Sequence, residues 1–179
     1  SLAIFIKSIL KNRNNACIVV PITTSSVLEQ ICHEYGGKLI HAKMGYRSII
    51  DDVIKYKAIF AGNESGGFIF PEFQLCEDAI YSSVFLLELL SKDGTSLSKI
   101  YSEIPDFYMA KDYIDIPIQY RGKIMSTLIE ENYDHKIETI SGIKIYFEYG
   151  WCLIIPNPSK NGFDIYAEGK NKQYANELV

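Results

Sequence analysis

The chain has 179 residues, 47% of them apolar and 22% charged, with 13 Tyr, 9 Phe and a formal net charge of -4. That apolar share excludes a disordered polymer, and the acidic balance excludes a broad nucleic-acid surface, which needs clustered Lys and Arg to displace counterions from phosphates. No apolar run reaches the roughly 20 residues of a membrane-spanning helix, and the length admits one large or two small domains.

Leu2, Ile4, Phe5, Ile6, Ile9 and Leu10 read as an element already under way, as expected of a piece of a longer protein. No basic leader precedes them, so no export signal and a cytoplasmic location are expected. Residues 16–21, wholly apolar up to Pro21, predict a strand, and the polar cluster 23–26 follows. Ser26 with Glu29 three residues on fits a capping box, Val27, Leu28, Ile31, Cys32 and Tyr35 form a helical face, and Gly36-Gly37 supplies the stop. A strand over 38–41, a turn at Lys43-Met44-Gly45 and a helix carrying Tyr46, Ile49, Ile50, Val53 and Ile54 come next. Residues 56–61 predict a third strand, which runs into the glycine-rich turn 62–67.

A helix over 78–90 is apolar nearly all round, which predicts packing on more than one side. Asp93-Gly94 breaks it, and a short helix from Leu97 to Ile104 ends at Pro105. Beyond about Phe107 the pattern changes to an extended segment (113–119), a helix with Ile124, Met125, Leu128 and Ile129 on one face, and a hairpin. That hairpin joins 143–148 to 151–155 through Tyr149-Gly150. A strand over 163–167 and a helix from about Lys172 close the chain. The fold class expected is therefore α/β: a three-layer α/β domain with a mixed, mostly parallel sheet over 1–105, followed by a small α+β domain with an antiparallel sheet over 110–179.

Two loops interrupt apolar strand ends, where α/β sheets bind ligands: 62–67 and 156–162. The first is no nucleophile elbow, because G-x-S-x-G requires Gly at position 63, and it has neither the P-loop Lys nor G-x-G-x-x-G spacing. It suits sugar hydroxyls: Glu64 accepts paired hydrogen bonds, Asn63 donates and accepts, and Ser65 does either. Cys17, Cys32, Cys76 and Cys152 lack C-x-x-C spacing and read as free thiols. His33, His41 and His135 lack metal-ligand spacing, and Asp51-Asp52 diverge around a helix, so no metal is expected from either set. Trp151 reads as a core or edge-strand residue rather than a sugar platform.

The run Gly62-Asn63-Glu64-Ser65-Gly66-Gly67-Phe68-Ile69-Phe70-Pro71-Glu72-Phe73-Gln74 resembles the sugar-reading loop, G-E-x-S-G-H, of the third α-D-phosphohexomutase domain, the phosphoglucomutase and phosphomannomutase family. It especially resembles an archaeal-like variant that ends in G-G and continues F-P-E-H-Q. Ile143 to Ile155, Pro156 and Ile165-Tyr166-Ala167-Glu168 resemble the fourth domain, where R-P-S-G-T-E-P forms the phosphate loop. The resemblance covers nearly the whole chain in the right order. It implies an enzyme, an isomerase acting by phosphoryl transfer, that interconverts hexose 1-phosphate and hexose 6-phosphate through a phosphoserine and a bisphosphate intermediate. It places that serine in the first domain and a Mg2+-binding D-x-D-x-D loop in the second, so this chain alone is expected to be inactive and to bind no metal itself. Its expected partners are a hexose phosphate and the N-terminal half of the same enzyme, with no nucleic acid and no membrane.

By position, the resemblance implies that Asn63, Glu64 and Ser65 read sugar hydroxyls, that Lys43 stabilises charge near the reacting centre, and that Asn157, Ser159 and Lys160 face the phosphate. Asn63 stands where the family loop has Glu, Gly67 and Phe73 where it has His, and Ile155 where the phosphate loop begins with Arg. Each lost charged contact weakens phosphate binding by about 1.5–3 kcal/mol. An alternative is a non-catalytic binding or regulatory paralogue with a decayed site. A nucleotide-binding α/β domain fits the coarse pattern but lacks a phosphate-cradling glycine motif.

Overall fold

A computed structural model describes residues 2–13, 15–94 and 96–179, with the Asp93 side chain outside the description. The chain divides into two compact units, Ser1–Pro105 and Asp106–Val179.

Unit 1 starts with helix α1 (Leu2–Asn12), whose residues 2–10 are all buried, including Lys7. Strand β1 (Cys17–Pro21) leads to α2 (Val27–Glu34), β2 (Lys38–Ala42), α3 (Tyr46–Tyr56) and β3 (Phe60–Gly62). The hairpin partner β4 (Phe68–Ile69) follows, then α4 (Ala79–Asp93) and α5 (Leu97–Ser102). The sheet order is β2-β1-β3-β4, with β1 parallel to both neighbours and β4 antiparallel to β3. Ile18, Val19 and Val20 are completely buried, because a central parallel strand is covered on both faces and tolerates no polar alternation. Ile18, Val20 and Phe60 face α1, α2 and α4, whereas Val19, Ala42 and Ala61 face α3. These three layers, with the mostly parallel sheet in the middle, match the expected fold class.

Aromatic rings fill the α1/α4 side. Phe5 lies 4.6 Å from Phe68 and 5.8 Å from Phe85, and Phe70 lies 4.8 Å from Tyr81 between ring centroids. Such pairs contribute about 0.5–1.5 kcal/mol each beyond their burial.

Three local expectations for unit 1 are corrected. The strand expected over 56–61 begins only at Phe60, because α3 continues to Tyr56 and ends at Lys57 in the left-handed region (φ 50). There Lys57 N–H and Ala58 N–H bond back to Ile54 O and Val53 O, a helix stop built without glycine. Ser26 adopts helical angles and makes no side-chain cap on α2; Ser25 Oγ accepts from Val27 N–H at 3.2 Å instead. Helix α4, capped by Asp78 Oδ1 accepting from Tyr81 N–H at 2.7 Å, packs one face through Tyr81, Phe85, Leu86 and Leu89. Its other face leaves Ile80, Val84 and Leu87 exposed at 80%, 59% and 66%, so it is not packed all round.

Unit 2 holds β5 (Tyr108–Ile114), a 3-10 turn at Ile118–Tyr120, α6 (Arg121–Glu131), β6 (Lys136–Glu138), β7 (Ile143–Phe147), β8 (Gly150–Pro156), β9 (Phe163–Gly169) and α7 (Lys172–Glu177). The sheet order β5-β9-β8-β7-β6 is antiparallel throughout, as expected. The extended segment expected over 113–119 lies earlier, because Pro117 offers no N–H to a ladder and opens the 3-10 turn. The hairpin turn is Glu148-Tyr149, and Gly150 is the first residue of β8, paired with Phe147. A Cβ at Gly150 would overlap the Glu168 carbonyl, so glycine here serves strand proximity rather than turn geometry. Trp151 is buried, with Lys144 Nζ 3.9 Å from its ring centroid, and belongs to the packed sheet.

No disulfide joins the cysteines: all four are free thiols, with Cys32 and Cys152 buried. Burial pushes their thiol pKa values up to about 12 and about 11. No helix among the described residues is long and apolar enough to cross a membrane.

Candidate functional site

Three loops leave the C-terminal edge of the parallel strands: 22–26 after β1, 43–45 after β2 and 63–67 after β3. Strands β1 and β3 are neighbours, yet the chain leaves β1 toward β2 on one side of the sheet and leaves β3 toward β4 on the other. Divergence of this kind is the topological switch point at which open α/β sheets bind ligands.

The 63–67 loop is a closed turn. Asn63 O accepts from Gly66 N–H at 3.3 Å, Asn63 N–H donates to Gly67 O at 3.0 Å, and Gly66 sits at φ 92, a value that L residues rarely adopt. Asn63 is engaged at both ends of its amide: Oδ1 accepts from Gly67 N–H at 3.1 Å and Nδ2 donates to Glu77 Oε1 at 2.9 Å. Gly67 is hemmed in by that same carboxylate, which a Cβ at position 67 would overlap. A side chain at position 67 would therefore have to displace the Glu77 carboxylate.

Glu64 projects from the exposed tip, and its Oε1 accepts from Thr23 Oγ1 at 2.7 Å. Thr23 is itself buried at the end of β1. The neighbouring hydroxyls build the Thr23 loop, Thr24 donating to Pro21 O at 2.8 Å and Ser25 accepting from Val27. One carboxylate oxygen is thus fixed by Thr23, and a carboxylate can accept further hydrogen bonds at its second oxygen. Ser65 is exposed beside it, and Lys43 is exposed at the end of β2 on the same sheet edge.

In unit 2 the 157–162 loop joins β8 to β9 and closes through Asn157 N–H donating to Gly162 O at 3.0 Å. Asn157 organises it: Oδ1 accepts from the N–H groups of Ser159 and Lys160, both at 2.8 Å, and Nδ2 donates to Asp164 Oδ2 at 2.8 Å. Those two N–H groups are consequently engaged within the loop. Ser159 and Lys160 present exposed side chains, and Lys160 Nζ stands 5.3 Å from the Tyr113 ring centroid. Tyr113 donates its hydroxyl to Asn161 O, and Arg121 donates from Nη2 to Lys160 O. Ile155 is buried at 8% exposure.

The sequence reading missed Thr23, Glu77 and Arg121. The cluster of hydroxyls after a fully apolar strand was a signal for Thr23, though not for its partner 41 residues away. Glu77 and Arg121 carried no local signal, because each acts on a loop that only the tertiary fold brings near.

A family model described as phosphoglucomutase/phosphomannomutase, alpha/beta/alpha domain III, matches residues 1–108. The chain belongs to the phosphoglucomutase/phosphomannomutase family. Among its relatives, phosphoglucosamine mutase of Methanococcus vannielii is 29% identical over 181 residues, covering 99% of this chain and 41% of the relative. Phosphoglucomutase/phosphomannomutase of Thermococcus kodakarensis is 27% identical over 179 residues, covering 99% and 39%. The chain thus spans about two fifths of the length of these curated relatives. In fold it is similar to a phosphoglucomutase/phosphomannomutase family protein from Burkholderia thailandensis, with TM-score 0.78, 17% identity and coverage of 99% of this chain and 38% of the other. It is also similar to N-acetylphosphoglucosamine mutase of Aspergillus fumigatus, solved with GlcNAc-6P and magnesium, with TM-score 0.69, 12% identity and coverage of 99% and 44%.

Among the described residues no three His, Cys, Asp or Glu side chains lie close enough to hold a metal ion.

Proposed function

We propose that this chain supplies the sugar- and phosphate-contacting portion of a phosphohexomutase that interconverts hexose 1-phosphate and hexose 6-phosphate. The reacting serine and the Mg2+-binding loop then come from outside these residues, from the N-terminal half of the same enzyme. Such transfers are catalysed mostly by holding the sugar in register and by offsetting charge on the transferred group, which matches the residues found here.

The observation that carries the reading is the Thr23–Glu64 hydrogen bond at the switch point. It fixes the orientation of a carboxylate whose remaining oxygen can accept from vicinal sugar hydroxyls. Ser65 adds a second hydroxyl-reading group, Lys43 a positive charge at the same sheet edge, and Ser159 and Lys160 take the phosphate. The names of the methanococcal relatives make glucosamine 6-phosphate the first ligand to test.

Ile155, buried and apolar where the resembled phosphate loop begins with Arg, favours a second reading: a non-catalytic binding module on the same scaffold. Turnover separates the two. The chain alone is expected to bind glucosamine 6-phosphate by titration calorimetry without converting it. Joined to a phosphohexomutase N-terminal half, with Mg2+ and a bisphosphate primer, it is expected to form glucosamine 1-phosphate. Binding with no turnover in that assembly would establish the second reading, and absence of binding would overturn both.

A further inference from the structure

This inference rests on the proposal that the 155–162 loop faces the phosphate. The foot of that loop is acidic. Asp164 holds the Nδ2 of Asn157, and desolvation first, then the charges of Asp115 and Asp164, raise the Tyr113 hydroxyl pKa while Arg121 opposes them. Ile155 is buried and apolar, and Lys160 is the one Lys or Arg of residues 155–162, so the loop by itself offers a phosphate dianion a single point charge.

Arg121 changes that balance. It is the first residue of α6, half-buried, and its Nη2 donates to the carbonyl oxygen of Lys160, so the guanidinium and the loop are held together. Its Nε is buried without a hydrogen-bond partner, and Arg121 makes no ion pair among the described residues. A guanidinium has five N–H donors in a rigid fork, and a buried donor with no acceptor is an unfavourable arrangement that an incoming oxyanion relieves. Tyr120 offers α6 no side-chain cap, so the positive end of that helix adds to the same field.

We infer that Arg121 is a phosphate-binding residue, supplying from α6 the guanidinium that position 155 lacks. It takes the phosphate oxygens of the hexose phosphate through its fork, with Lys160 as a second, point-like charge. The substitution at position 155 is then compensated from another element of the same unit.

The test uses the 179-residue chain, titrated with inorganic phosphate and with glucosamine 6-phosphate, following the Arg121 Nε–H resonance and the Kd. Both ligands are expected to shift that resonance, and Arg121→Lys is expected to weaken both at least about tenfold although Lys can still donate to the Lys160 carbonyl. Arg121→Met is expected to weaken them further, with circular dichroism and the β8 and β9 resonances reporting that the sheet persists; should Met unfold the unit, the Lys variant decides. Wild-type binding with an unmoved Nε–H signal, or full affinity in Arg121→Lys, would overturn the role of Arg121 and leave the loop's phosphate reading intact. If wild type bound neither ligand, that reading itself would fall and Arg121 with it.

Discussion

Thr23 donates its hydroxyl proton to Oε1 of Glu64 across 2.7 Å, tying the loop after β1 to the loop after β3. The bond converts an exposed carboxylate, otherwise free to rotate, into an acceptor with one defined orientation. Thr23→Val keeps the shape and removes the donor. Affinity for glucosamine 6-phosphate is expected to fall about tenfold, the effect of losing one hydrogen bond to a charged group, and Thr23→Ser is expected to restore it. Calorimetric titration of the three proteins checks this.

Two glycines near the loops should respond very differently to alanine. At Gly67 the added methyl meets the far end of the Glu77 side chain, which can swing away at the loss of its bond to Asn63. A destabilisation of about 1 kcal/mol is expected, most of it absent when Glu77 is already Ala. At Gly162, φ is 128 and the methyl would overlap the Ile114 carbonyl oxygen, which is backbone and cannot move aside. Gly162→Ala is expected to cost about 3 kcal/mol or more, measured by urea unfolding.

Helix α4 offers a contrast within one element. Leu89 is 8% exposed in the aromatic core, and Leu89→Ala is expected to cost about 2–5 kcal/mol. Leu87, two residues earlier and 66% exposed, is expected to tolerate Glu within about 0.5 kcal/mol. Paired unfolding curves read both.

Much of this architecture was legible in the sequence. The uninterrupted apolar β1, the 3.6-residue period of α2 and α3 and the Gly62–Gly67 punctuation each reflect a local physical requirement. Where the reading slipped, the deciding force was not local. Helix α3 runs to Tyr56 because Lys57 accepts a left-handed conformation that sequence pattern does not advertise. Among the described residues strand β5 is an edge strand paired with β9, so it lacks the alternation that would mark its start. The exposed side of α4 reads as core because Ile80, Val84 and Leu87 keep helical spacing whether or not anything covers them. In the candidate site, Asn63, Glu64 and Ser65 are singled out by the family resemblance and their hydrogen-bonding chemistry, whereas the bonds from Thr23 and Glu77 require the topology.

The buried Lys7 pairs with Glu103 at 2.9 Å, joining α1 to the end of α5. Burial lowers the Lys7 pKa, yet the Glu103 hydrogen bond and the nearby Tyr35 and Glu34 together raise it above 10.5; the same bond holds Glu103 below 4.5. The lysine contribution is therefore present below pH 10.5 and lost as pH rises through the raised folded value. The glutamate contribution is present above pH 4.5 and lost as pH falls through the lowered one. Lys7→Met is expected to keep Tm near wild type at neutral pH, because Met retains the apolar stem, and to flatten both limbs of the Tm-against-pH curve. Thermal melts from acid to strongly alkaline buffer check it.

The most direct test of the proposed sugar site is the Kd of glucosamine 6-phosphate for wild type against Glu64→Gln. Gln can still accept from Thr23 but replaces the second carboxylate oxygen with an amide donor and removes the charge. Affinity is expected to fall by at least about tenfold while binding of inorganic phosphate is unchanged. Equal affinity of the two proteins for glucosamine 6-phosphate would contradict the assignment of Glu64 as the sugar-reading carboxylate.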